Sequence, residues 1–228
     1  MPAEPPHYLY RGIAPILAPG QTMSEAEYEQ WRDEHTWDPS RNSSLVVQTD
    51  LRAADWIEPL LPDWESGNPV LLPLGFDAYA RIFIEYHEET AEERHERIAE
   101  ALSRPMPAVG PDEQAARSAF LPNNDFEPLL PILARHTSSP ISWFLLWDGH
   151  GNLNDRAFGQ IPKVRHPIRD LYLLRGPHAA YQDLAADASY WWPDDRTWCV
   201  CADTDWDYYY VASTAACVGE ILRACNRP

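Results

Sequence analysis

Residues 141–147 read ISWFLLW, an apolar run the length of one strand, and the stretches DLYLLRG, TWCVCAD and YYYVAS repeat that signature further along the chain. Short runs rich in aromatic, aliphatic and β-branched residues, bounded by turn residues, predict strands buried in a sheet. Asp148-Gly149 is a turn pair suited to a hairpin after the first run, and Gly176-Pro177 closes the second. Upstream the pattern is different. Ser24 followed by Glu27 predicts a capping box that opens a helix over EYEQWRDEH, whose polarity places it at the periphery. LVVQ from Leu45 predicts a strand, after which Thr49 or Asp50 caps a helix with Leu51, Ala54, Ile57 and Leu61 on one face.

A turn around Ser66, Gly67 and Asn68 precedes VLLPLGFDAYARIFIEY, which carries a strand, a helical turn and then ARIFIEY as a second strand. Thr90 with Glu93 forms another capping box, opening a helix that runs to about Leu102 and stops before Pro105. DEQAARSAF and PLLPILARH add two amphipathic stretches, so the middle third reads as helical. A short helix spans His178 to Ala186, and the chain closes in a helix whose Val218, Ile221, Leu222 and Cys225 share a face. Helices and strands are segregated rather than alternating. The expected fold is therefore α+β: a mainly antiparallel sheet with helices packed on one side, loop-rich, in a single domain. Residues 1–44 form an N-terminal arm with one short helix, and residues 45–228 form the domain; no internal repeat is visible.

Composition refines this picture. A chain of 228 residues can bury a core without disulfide staples, and 22 prolines against 10 glycines imply rigid, extended connections. The net charge of −17 repels phosphate backbones, so nucleic acid is not an expected partner. Lys163 is the one lysine among 18 basic residues, a skew that points to a GC-rich coding sequence of bacterial origin. No basic stretch followed by an apolar one opens the chain, and no run approaches the ~18 apolar residues that span a bilayer, so the expected location is cytoplasmic and no membrane is expected as partner. In that compartment Cys199, Cys201, Cys217 and Cys225 are expected as reduced core residues; the separation of the last two on a helix argues against a four-thiolate zinc site.

The densest chemistry lies in residues 190–210, YWWPDDRTWCVCADTDWDYYY, where eight aromatic rings and five carboxylates share 21 residues. Rings of that size must fill a core or line a recognition surface. The expected partner-binding face comprises Trp191, Trp192, Arg196, Trp198, Trp206, Tyr208 and Tyr209, with the Arg196 guanidinium flanked by Trp192 and Trp198. Asp203, Asp205 and Asp207 alternate, so on an extended strand they would share a face and could hold a divalent cation, or simply be solvated at a hairpin tip. A calcium loop is excluded because the position requiring glycine is Tyr208 and the one requiring glutamate is Thr214. Arg165, Arg169 and Arg175, with Lys163 and His166, form a basic cluster able to bind an anion or to pair internally with Asp194, Asp195 and Asp203. His87-Glu88 lacks the second histidine of a zinc-protease motif, and no nucleophile elbow or phosphate loop is present. Asp148 and His150 in WDGHG shape a turn.

Several phrases together, LPLGFDAYARIF, LARHTSSP, WFLLWDGHG, YLLRGP and WWPDDRTWCV with YVAS, resemble a group of actinobacterial proteins to which no activity is assigned. The resemblance spans roughly residues 50–222 and implies a shared fold; it carries no cofactor and no catalytic residue. The arm, Tyr208 and Tyr209 depart from the group's pattern.

These observations point first to a non-enzymatic protein-interaction module, adaptor or immunity-like, whose aromatic and acidic C-terminal face docks a protein partner, a basic one by charge. No cofactor is expected on that reading. The alternative is a metal-dependent enzyme acting on a small polar or anionic substrate, with a divalent cation at Asp203, Asp205 and Asp207.

Overall fold

The computed structural model describes residues 22–61, 72–85, 90–103, 117–122 and 126–225. Its centre is one sheet of nine strands: β1 (Val46–Val47), β2 (Ala78–Glu85), β3 (Ser118–Pro122), β4 (Ile141–Trp147), β5 (Val164–Arg165), β6 (Asp170–Pro177), β7 (Tyr190–Pro193), β8 (Trp198–Cys201) and β9 (Tyr208–Ser213). The order is β1-β6-β4-β7-β8-β9-β2-β3, with β5 following β1 along the same edge of β6. Every pairing is antiparallel except that of β2 with β3. The architecture is α+β with a mainly antiparallel sheet.

Period-two alternation sends side chains to two separate cores. On one face Ile82, Phe144, Leu146, Leu174, Trp191, Trp198, Tyr209 and Val211 pack beneath the helix Leu130–Arg135 and the C-terminal helix Ala215–Cys225. On the other, Phe83, Leu145, Leu173, Tyr190, Trp192, Cys199, Cys201 and Tyr210 pack beneath residues 51–61, Leu72 and the helix Ala91–Ser103. Helices thus cover both faces, which corrects the one-sided packing expected. The reason is visible in the strands: Tyr190, Trp191 and Trp192 are consecutive, and all three are buried, so neither face can be left to solvent.

Arg81, wholly buried, ties the second face together. Its guanidinium donates to the Ala101 carbonyl at the end of the helix Ala91–Ser103 and to the Tyr210 hydroxyl at 2.6 Å, and lies 5.1 Å from the Tyr208 and Tyr210 ring centres. The charge is therefore hydrogen-bonded and stacked rather than simply desolvated.

Local signals account for the helix ends. Both capping boxes form, Ser24 with Glu27 and Thr90 with Glu93. Apolar Leu51, Ala54, Ile57 and Leu61 share the face expected, but through two 3-10 turns, Arg52–Ala54 and Glu58–Leu60, the second with Pro59 in its first turn. DEQAARSAF is not a helix where it is described: Ser118–Pro122 is a strand laid parallel on β2, putting Ala119 and Leu121 in the first core. Asp148-Gly149 does not close a hairpin either. It starts an excursion, Asp155–Phe158 and β5, that returns as β6; a Cβ at Gly149 would sit 2.3 Å from the Trp147 ring. The Ser66, Gly67 and Asn68 turn and His87-Glu88 fall outside the described residues. Among the described residues no helix is long and apolar enough to cross a membrane.

Replacing Trp191 by Ala should lower the unfolding free energy by about 3–5 kcal/mol, and Arg81→Met by about 2–4 kcal/mol through the lost Ala101 and Tyr210 hydrogen bonds. Urea denaturation at neutral pH measures both. A loss below about 1 kcal/mol for Trp191→Ala would contradict its place in the core.

Candidate functional site

The aromatic segment is core. Trp191, Trp192, Trp198, Tyr208 and Tyr209 are 1%, 1%, 0%, 4% and 2% exposed, so the proposed partner-binding face is corrected for all five. Trp191 stacks on Phe144 and Tyr181 at 5.6 and 4.9 Å and meets Trp198 edge-on at 5.0 Å. The indole of Trp198 donates to the Leu133 carbonyl at 3.0 Å. Trp206 alone among these rings is half-buried, lying flat on Tyr208 at 5.3 Å. Arg196 is exposed and adopts φ 55 in the turn between β7 and β8. Its guanidinium lies 5.5 Å from the Trp56 ring centre, not between Trp192 and Trp198 as expected; Trp56 in turn meets Trp192 edge-on.

The three aspartates do not converge. Asp203 carries a turn, its backbone carbonyl accepting from Trp206 N at 3.0 Å and its side chain from Asp205 N at 3.0 Å, so the segment is not an extended strand. Asp203 is moreover ion-paired with Arg169 at 2.7 Å in a largely buried contact. Among the described residues no three His, Cys, Asp or Glu side chains are grouped to hold a metal ion.

The basic cluster pairs internally, the second of the two readings its charges allowed, and does not form the anion site. Arg165 bonds Asp170 at 2.6 Å, Arg169 bonds Asp203, Arg175 lies 3.5 Å from Asp194, and Lys163 bonds Asp148 at 2.6 Å. Two of these cations also lie over indoles, Arg169 over Trp147 at 4.9 Å and Arg175 over Trp143 at 5.3 Å.

Next to Arg169 is a polar knot inside the second core. His166 Nε2 is 2.9 Å from the Tyr190 hydroxyl, and Cys199 and Cys201 place their sulfurs 3.8 Å apart beside it. Burial, then the Arg169 charge, hold His166 down to about 4 against the opposing pull of Asp203, so the ring is neutral at pH 7. Burial pushes the Tyr190 phenol and the Cys201 thiol well above their ordinary ranges. A thiol so held is not a nucleophile. Cys217 and Cys225 belong to the opposite core, where burial raises both, Cys225 to about 11, so the sheet separates the two cysteine pairs.

A serine–histidine pair was not legible in the sequence. Ser142 Oγ lies 2.6 Å from His178 Nδ1, and His178 Nε2 lies 2.7 Å from the Ser139 carbonyl. Because a carbonyl only accepts, Nε2 carries a proton, and in the neutral tautomer this implies, the Ser142 hydroxyl donates to Nδ1. The register of β4 on β6, Ser142 opposite Gly176, makes the contact. Ser142 is sealed inside its strand, which suits it to fix the corner rather than to attack a substrate.

An exposed cluster of aromatic and acidic residues lies on the N-terminal helix Glu25–His35, in which no residue is buried. Tyr28, Trp31 and His35 share one face at three- and four-residue spacing and form a stacked ladder, with ring centres 6.3 and 4.6 Å apart. Glu25, Glu27, Glu29 and Glu34 surround it. The helix is fastened at its C-terminal end, where Asp33 pairs with Arg156 at 2.7 Å, Asn154 donates to the Thr36 hydroxyl at 3.0 Å, and Trp37 bridges to Leu153. The sequence marked this helix as peripheral; its ring spacing was the available signal.

Comparison with family models, with curated proteins and with solved structures returns no match.

Because His166 is more acidic folded than its ordinary 6.5, the stability it contributes is complete above that pH and is lost as pH falls toward about 4. Denaturation midpoints measured across that window should fall less steeply in His166→Gln than in the parent protein; parallel profiles would contradict the buried neutral ring.

Proposed function

We propose that the protein is a non-enzymatic interaction module, adaptor or immunity-like, that docks a basic protein partner through the N-terminal helix. The observation that carries this reading is the Tyr28, Trp31 and His35 ladder set among four glutamates on a helix with no buried residue. Tyr28, 42% exposed, is one of two exposed large hydrophobic side chains among the described residues. Aromatic rings with few rotors desolvate a large area at low entropic cost, and Arg side chains of a partner stack on them. Charge points the same way. A chain at −17 whose central cations are spent on Asp148, Asp170, Asp194 and Asp203 presents an outward field that attracts cationic surfaces and repels nucleic acid. The reading includes a cytoplasmic setting in an actinobacterium, in keeping with protonated buried thiols and the bias toward arginine.

A short arginine-rich peptide, titrated calorimetrically, should bind the parent protein and weaken with added salt, whereas a glutamate-rich peptide should not bind. Tyr28→Ala with Trp31→Ala should cost roughly 2 kcal/mol of that binding, about thirtyfold, while leaving the melting temperature unchanged. Equal affinity in parent and variant would overturn the assignment to this helix.

A further inference from the structure

Between the helix Asp155–Phe158 and β6 the chain passes through residues 159–169 without burying any of them. The segment wraps the edge of β6: Ile161 leans on the first core, Val164 and Ile168 on the second. Its strand pairing is two ladder positions, Val164 with Leu171 and Arg165 with Asp170. With so little apolar area sealed, its hold on the body is polar: Lys163 on Asp148, Arg169 on Asp203, and His166 on Tyr190. A cleft of about 180 Å³ already separates β5 from the two 3-10 turns, and Leu145 and Leu171 lie sealed beneath it.

The His166 contact differs from the two ion pairs, because its geometry fits one protonation state. The Ile168 N–H points to Nδ1 at 3.5 Å, so Nδ1 accepts, and Nε2 carries the proton toward the Tyr190 hydroxyl at 2.9 Å. A proton added at Nδ1 sets two donors against each other and places a second cation beside Arg169. Asp203, the nearest compensating carboxylate, is already bonded to Arg169 at 2.7 Å. From β8, Cys199 and Cys201 lie beside Tyr190, and burial keeps Cys201 a neutral thiol. Asp55 and Glu58 share the cleft with His166, but both are exposed and screened by solvent; Lys163 and Arg165 flank it on its own segment.

We propose that residues 159–169 are a strap that opens as a unit while the rest of the sheet stays folded, and that His166 is its latch, closed when the ring is neutral and released when it is protonated. Opening uncovers Tyr190, Leu145 and Leu171 and widens the small cleft into an apolar groove. The step is a local unfolding of low cost, because no buried side chain has to leave the interior. The strap works whatever the N-terminal helix binds, so either proposal can fail alone.

Hydrogen exchange of the full-length protein, read residue by residue by NMR and corrected for the intrinsic effect of pH, tests both parts. Amides paired between β5 and β6 should exchange through an opening that is insensitive to sub-denaturing urea, whereas amides paired between β4 and β7 should follow the urea dependence of global unfolding. Because the ring titrates at about 4 closed and at its ordinary 6.5 once released, the strap's opening constant should rise roughly twentyfold from pH 7 to pH 5. In His166→Gln that rise should vanish. Tyr190→Phe, which keeps the ring and removes the hydroxyl, should raise the opening constant at pH 7 by roughly fivefold. Strap amides that exchange only with global unfolding, a pH response that persists in His166→Gln, or an unchanged opening in Tyr190→Phe each overturn the proposal.

Discussion

A sheet covered on both sides has no solvent face, and each residue between its edges must find company in one of two interiors. That constraint governs the rest of the molecule. It explains why Tyr190, Trp191 and Trp192 can follow one another in the chain without any of them being exposed, and why Tyr208, Tyr209 and Tyr210 do the same two strands away. Burying the consecutive rings removes a large apolar area from water, at about 25 cal/mol per Å². Several of their polar atoms are satisfied indoors, although the buried Trp191 indole N–H has no hydrogen-bond partner among the described residues. Arg81 answers Tyr210, His166 answers Tyr190, and the Leu133 carbonyl answers Trp198.

The same constraint disposes of the positive charges. Arg169 and Arg175 stand on strands or beside them where indoles and aspartates are the available neighbours, and each is both stacked and ion-paired. Cations committed in this way stabilise the sheet and cannot also serve a ligand. The acidic excess is left outside, on elements that contribute little to the interior. Exposed aromatic rings are thereby displaced from the sheet to its periphery, onto the N-terminal helix held at one end by Asp33 and Thr36.

Much of this was legible from local pattern. The strands of residues 141–147, 170–177, 198–201 and 208–213, both capping boxes and the apolar face of the C-terminal helix follow from side-chain period and hydrogen-bonding capacity, which act between near neighbours. The internal pairing of Arg169 with Asp203 and of Arg175 with Asp194 was among the readings their charges allowed. Ser118–Pro122 was not legible as a strand, because what makes it one is the edge of β2, contributed by residues some 40 positions upstream.

By itself the sequence determined the α+β class, the element types with strong periodicity, the acidic character of the surface and the dense aromatic content near the carboxyl end. It could not say on which side of a strand solvent lies, since alternation distinguishes two faces but does not say whether something covers both. Only the tertiary structure decided that Trp191, Trp192 and Trp198 are sealed while Tyr28 is left out, that Asp203 turns inward to Arg169, and that Ser142 meets His178. Those outcomes depend on contacts between residues distant in the chain, whose formation is set by how the helices and the 3-10 turns close over the sheet.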